Sequence, residues 1–114
     1  MNTPSDILPI DVGLISTWSD FHDLFARKLG FPTFYGRNMD AWIDCMTSLD
    51  APNEGLSTVH VPTGSVLTLN IVNASHLKDV NADIWESLNE CTACVNWRRN
   101  EVGKPSILAL SYYS

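Results

Sequence analysis

Apolar residues in this chain recur with two periods, and the switching between them predicts the elements of the fold. Over Asp20–Leu29 the positions Phe21, Leu24, Phe25 and Leu29 form one helical stripe, with Ser19 placed to cap it and Gly30 to end it. A second stripe, Met39, Trp42, Ile43, Met46 and Leu49, predicts a helix from Met39 to Leu49. Thr58–Val61 and Val66–Ile71 are β-rich runs divided by Pro62-Thr63-Gly64, which predicts two strands with a short connection. Ser75 is placed to cap a helical turn over His76–Asp79. A long helix is expected from Ala82 to Val102 on the stripe Ile84, Leu88, Cys91 and Val95, joined by Trp85 and Thr92, with Gly103 and Pro105 as its stop. Ser106–Tyr112 closes the chain as an apolar strand, and Asp6–Ile10, interrupted by Pro9, reads as an edge strand. Residues 1–4 are expected to be loose. Helices lying between strands predict an α/β domain with a small, mainly parallel sheet.

The segment from Phe31 to Thr47 carries the most information. Pro32 fixes its own φ and biases Phe31 toward extended backbone, so the preceding helix stops short of it. Gly36 offers a left-handed position, and Asn38 is a good N-cap for the helix that follows. On that helix Asp40, Asp44 and Thr47 gather beside the apolar stripe. Two like charges at i and i+4 cost an isolated helix about 0.2–0.5 kcal/mol, and only Asp40 lies in the first turn, where the helix dipole compensates it. Asp44 gains little within its own helix. A solvated helix face accounts for the pair taken alone; a surface that carries negative charge into a cationic pocket is the alternative.

Composition narrows the choice. A chain of 114 residues with 45% hydrophobic content supports one modest core and hence a single domain over 1–114. No basic and apolar leader opens it and no apolar run approaches 18 residues, so the chain is expected to be cytoplasmic and not membrane-bound. A net charge of −6 argues against nucleic acid and for a cationic partner. The acid is uneven: residues 1–57 hold eight acidic side chains against three basic ones.

Three cysteines, Cys45, Cys91 and Cys94, suit reduced thiols better than a disulfide framework. Cys91 and Cys94 share a helix face, but a lone CxxC in mid-helix, with only His22, His60 and His76 elsewhere, is a weak metal or redox signal, and the apolar stripe explains Cys91. No nucleophile elbow and no glycine-rich phosphate loop occurs, so catalysis is unsupported and no cofactor is expected. His22 reads as a surface or packing residue. Trp97-Arg98-Arg99 fits a helix end where cations complement the dipole and Trp97 packs inward, more readily than a contact with nucleic acid. Tyr112 and Tyr113 are expected to pack along the last strand.

Leu29, Phe31, Pro32, Phe34, Tyr35, Gly36, Asn38, Met39, Asp40, Ala41, Asp44 and Cys45 together match, at fixed spacing, the segment that distinguishes the barstar family of ribonuclease inhibitors. The resemblance is clear from about Ser19 to Thr47; beyond it the order of elements and the final apolar strand agree. It implies an α/β fold with a mainly parallel three-stranded sheet packed by helices, to which the Asp50–Ser65 segment adds a strand or hairpin. It further implies a non-enzymatic inhibitor that forms a one-to-one complex with a small basic ribonuclease or RNase-like toxin. Asp44 is then the central plug and Asp40 contacts a neighbouring basic group, with Phe34, Tyr35, Gly36, Asn38, Ile43 and Thr47 around them. Four positions depart from the family's founding member. Phe34 lacks a hydroxyl, Ile43 replaces a tryptophan, Arg37 stands at an acidic position where it can pair with Asp40, and Arg98-Arg99 fall near an interfacial glutamate. A target other than barnase, and weak affinity for barnase itself, follow. A fold reused to bind a non-nuclease partner through the same helix is the alternative.

Overall fold

The most apolar strand takes the centre of the sheet. In the computed structural model, which describes residues 5–113, β2 (Val66–Val72) lies between β1 (Ser5–Asp11) and β3 (Leu108–Tyr113), and both run parallel to it. The tail 1–4, expected to be loose, lies outside the described residues. Parallel neighbours need crossover connections. Helices α1 (Trp18–Leu29) and α2 (Met39–Thr47) lie between β1 and β2; α3 (Ala74–Val80) and α4 (Ala82–Glu101) lie between β2 and β3. This is the α/β architecture the sequence predicts, with the sheet wholly parallel. β1 is an edge strand that tolerates Pro9, which has no N–H to lose from a ladder.

Along β2 burial alternates: Leu67, Leu69 and Ile71 are buried and their neighbours half-buried. One core cluster joins these residues to Ile10, Phe21, Phe25, Trp42, Met46, Ile84, Leu88 and Val95. Phe21 and Phe25 pack at a centroid distance of 4.6 Å, and Phe25 meets Trp42 edge-on at 5.7 Å, which fixes α2 against α1. Each such aromatic pair contributes about 0.5–1.5 kcal/mol beyond the area it buries. A radius of gyration of 13.5 Å fits a single compact domain of this length.

Several local expectations change. α1 starts earlier than Ser19 suggests, because Thr17 forms a capping box: its side chain accepts from the Asp20 N–H, and the Asp20 carboxylate accepts from the Thr17 N–H. α2 ends at Thr47, while Leu49 still completes the buried stripe from the following turn. α3 starts at Ala74, after Asn73 in left-handed backbone, two residues before the His76 start that a Ser75 cap implies. No strand or hairpin forms between Asp50 and Ser65; the segment holds only a 3-10 turn, Pro52–Glu54. The N–H groups of Thr58 and Val59 donate to the Leu29 carbonyl and that of Val61 to the Leu49 carbonyl, so this stretch covers the C-terminal ends of α1 and α2 instead of pairing in a sheet. Trp97, expected inside, is 62% exposed; His22 is buried. Tyr112 packs on Trp85 at 5.1 Å, whereas Tyr113 is exposed.

Candidate protein-binding site

The site begins where α1 stops. Gly30, at φ 67°, donates its N–H to the Ala26 carbonyl, and Phe31 donates to the same oxygen. A turn closed by the Tyr35 N–H on the Pro32 carbonyl carries the chain to α2. Tyr35 holds this loop from inside. Its hydroxyl lies 2.6 Å from His22 Nδ1, its ring packs on Phe31 at 4.7 Å, and Trp18 stacks over His22. Burial, and secondarily Arg37, lowers the His22 pKa below its ordinary value; burial raises that of Tyr35. Both groups are therefore neutral, joined by a hydrogen bond, at ordinary pH.

The left-handed residue of the loop is Arg37, at φ 55°, and not Gly36. That conformation disfavours a side chain, and here it is held by the guanidinium, which pairs with Asp23 at 2.8 Å and donates to the carbonyl and hydroxyl of Ser19. Arg37 thus turns toward α1 and leaves Asp40 alone, contrary to the pairing its spacing suggested. Asn38 then caps α2, its side-chain oxygen accepting from the Ala41 N–H at 2.8 Å.

α2 shows two faces. Trp42, Ile43, Cys45 and Met46 are buried, and Asp40 and Asp44 are exposed. Four residues of helix separate the carboxylates by about 6 Å along the axis. Asp40 has no ion-pair partner among the described residues. Asp44, with 60% of its side chain exposed, accepts from Arg98 Nη1 of α4 at 2.9 Å. Phe34 is 74% exposed. Phe34, Tyr35, Gly36, Ala41, Asp44, Cys45 and Leu56 line a shallow depression of about 170 Å³ in which the loop meets the helix.

Of the residues singled out in the sequence, Phe34, Gly36, Asn38, Asp40 and Asp44 are exposed, and Phe34, Gly36 and Asp44 meet at this depression. Thr47 is half-buried, its hydroxyl bonded to the Ile43 carbonyl. Tyr35 and Ile43 are buried, so they shape this surface from behind.

Sequence reasoning missed the clamp that orients α2. Arg99, 2% exposed, forms a two-pronged pair with Asp50, donates to the Thr47 carbonyl at the end of α2, and donates to the Pro105 carbonyl before β3. α2 has no cation of its own in its last turn, and Arg99 supplies one from α4. The guanidinium holds the Asp50 pKa below the usual carboxylate range. The only sequence signal available was an arginine within a helix face, which is common on surfaces.

All three cysteines are free. Burial pushes the Cys45 thiol up to about 11 and raises Cys91 as well, which suits inert packing groups. Among the described residues no group of His, Cys, Asp and Glu converges to hold a metal ion, and no helix is long and apolar enough to cross a membrane.

Fold and surface define a small α/β protein with two exposed carboxylates on α2. A family model described as Barstar (barnase inhibitor) matches residues 6–108, and the chain belongs to that family. Its members are protein inhibitors of ribonuclease, not enzymes. No curated protein matches the chain.

Proposed function

We propose that the chain inhibits a small basic ribonuclease, one molecule to one, by seating Asp44 in the cleft that binds RNA phosphate. A ribonuclease active site gathers Arg, Lys and His around that phosphate. A carboxylate held there takes the place of the substrate's charge while the rest of the surface covers the cleft, and no bond is broken. Asp40 meets a cation beside the socket, Phe34 supplies apolar contact, and Gly36, Asn38 and Thr47 complete the rim, with Tyr35 and Ile43 supporting from below.

The observation that carries this reading is the helix α2 itself, whose apolar face is locked in the core while both aspartates face outward. The target is an RNase-like toxin other than barnase, encountered in the cytoplasm. Asp44→Ala is expected to weaken binding of the ribonuclease that co-purifies with the tagged chain by about 2–5 kcal/mol, because the partner's cations are left buried and unpaired. Titration calorimetry with unchanged circular dichroism reads this; an unaltered dissociation constant removes Asp44 from the centre of the interface.

The Arg98–Asp44 pair favours a second reading, since a carboxylate already neutralised suits docking to a less cationic, non-nuclease protein. Recovery of such a partner, with no ribonuclease suppressed by the chain, would select it.

A further inference from the structure

We infer that Arg98 is a specificity-determining residue: it holds Asp44 in the free chain and releases it only to a nuclease that offers Arg98 a carboxylate beside the cationic socket. The inference rests on the inhibitor reading and concerns which ribonucleases the chain accepts.

Arg98 is the only cation paired with a carboxylate of α2 among the described residues. Arg37, the other candidate, is committed to Asp23 and Ser19. Arg98 Nη1 donates to Asp44 Oδ1 at 2.9 Å, and the two side chains are 45% and 60% exposed, so a partner that reaches one also reaches the other.

The backbone cannot carry Arg98 away. Its neighbour Arg99 is buried and bonded to Thr47, Asp50 and Pro105, which pins the end of α4 to the end of α2. Only side-chain rotation can part the pair, and it leaves a permanently charged guanidinium at the margin of the interface. Nothing else anchors that guanidinium, because among the described residues Asp44 is its single side-chain partner.

Two arrangements are then open when Asp44 enters a cluster of cations. Arg98 stays on Asp44, in which case the carboxylate arrives already neutralised and the socket is under-compensated. Alternatively Arg98 swings off, and it is repelled by the same cations unless an acidic group receives it. A nuclease with a carboxylate on the rim of its cleft satisfies both charges; one with a uniformly basic rim is penalised. Repulsion of wrong partners is a common basis of selectivity between related interfaces. The guanidinium also suits planar, two-pronged recognition of a carboxylate.

Barnase serves as the probe. Inhibition constants are measured for the native chain and for the Arg98→Ala and Arg98→Glu variants. Removing the cation is expected to tighten inhibition by at least about tenfold, and reversing it by more. A set of barnase variants, each with one Asp placed on the active-site rim, follows. At least one should tighten binding of the native chain about tenfold and lose that gain against Arg98→Ala. The inference is overturned if neither Arg98 variant inhibits barnase better than the native chain, or if every rim carboxylate acts equally on the native and Arg98→Ala proteins. Asp44→Ala, measured against the co-purified ribonuclease, judges the inhibitor reading by itself: a loss there together with a null result at Arg98 retains the inhibitor and discards the filter. Thermal midpoints of the Arg98 variants should match the native chain, as an exposed ion pair adds little to folding.

Discussion

At Arg99 a full positive charge has left water, and every nitrogen of the guanidinium has an acceptor: Nε on Pro105, Nη1 on Thr47 and Asp50, Nη2 on Asp50. Such a pair is costly to break from one side, because the remaining charge stays buried without its partner. Arg99→Met is expected to destabilise the fold by about 3–5 kcal/mol in chemical denaturation, far more than Arg98→Ala one residue earlier. His22 shows the same dependence on burial with the opposite sign of preference, since the fold holds it neutral. Its folded pKa lies below the ordinary 6.5, so above that value the ring is neutral in both states and pH has no effect through it. As pH falls below 6.5 the unfolded chain takes up the proton first, and stability drops until the folded pKa is passed. Denaturation at pH 7 and at successively lower pH should show this loss in the native chain and a smaller one in His22→Gln, which cannot titrate. Equal slopes would show that the His22–Tyr35 pair does not set the stability of the loop.

The loop that launches α2 depends on how α1 is terminated. Gly30 combines left-handed backbone with a close approach: a Cβ there would lie 1.8 Å from Thr58 Oγ1. Gly30→Ala is therefore expected to cost about 2 kcal/mol or more, from the αL penalty and from displacement of Thr58. The added Thr58→Ala change should recover the part of the clash due to Oγ1 and Cγ2, at 1.8 and 2.9 Å, and leave the αL penalty together with the contact to the Thr58 Cβ at 2.8 Å; denaturation of the single and double variants reads that partial recovery. At this scale the sequence was most informative where periodicity and capping agree. α2 was legible because the Asn38 cap and the 3.6-residue apolar stripe reinforce one another, and β2 because Leu67, Leu69 and Ile71 alternate within a β-rich run. Thr58–Val61 has the composition of a strand, yet composition does not reveal that helix-end carbonyls of Leu29 and Leu49 claim its N–H groups. The Thr17–Asp20 capping box was available as a Thr-X-X-Asp pattern and outweighs the single residue Ser19. Arg98–Asp44 and Arg99–Asp50 join residues 54 and 49 positions apart, so neither local pattern nor spacing could forecast them.

Across the whole molecule, the excess of thirteen acidic over seven basic side chains gives a field that acts before any contact forms. Asp40 contributes to it at full strength, being exposed and free of ion pairs among the described residues, whereas Asp44 is partly neutralised by Arg98 until it docks. The two aspartates should therefore divide the kinetics of association with a basic ribonuclease between them. A rim charge chiefly steers encounter, while a charge that becomes buried against cations chiefly resists departure. Asp40→Asn is expected to slow association severalfold at low salt and to leave dissociation nearly unchanged; Asp44→Ala should mainly accelerate dissociation. Stopped-flow measurements between about 0.01 and 1 M salt, over which the screening length contracts from about 30 to 3 Å, resolve the two effects. The association rate of the native chain should fall steeply over that range and converge with that of Asp40→Asn at the high end, because screening removes the steering that the substitution removes. Convergence at low salt instead, or an association rate indifferent to salt, would mean that the acidic surface does not guide the partner to α2.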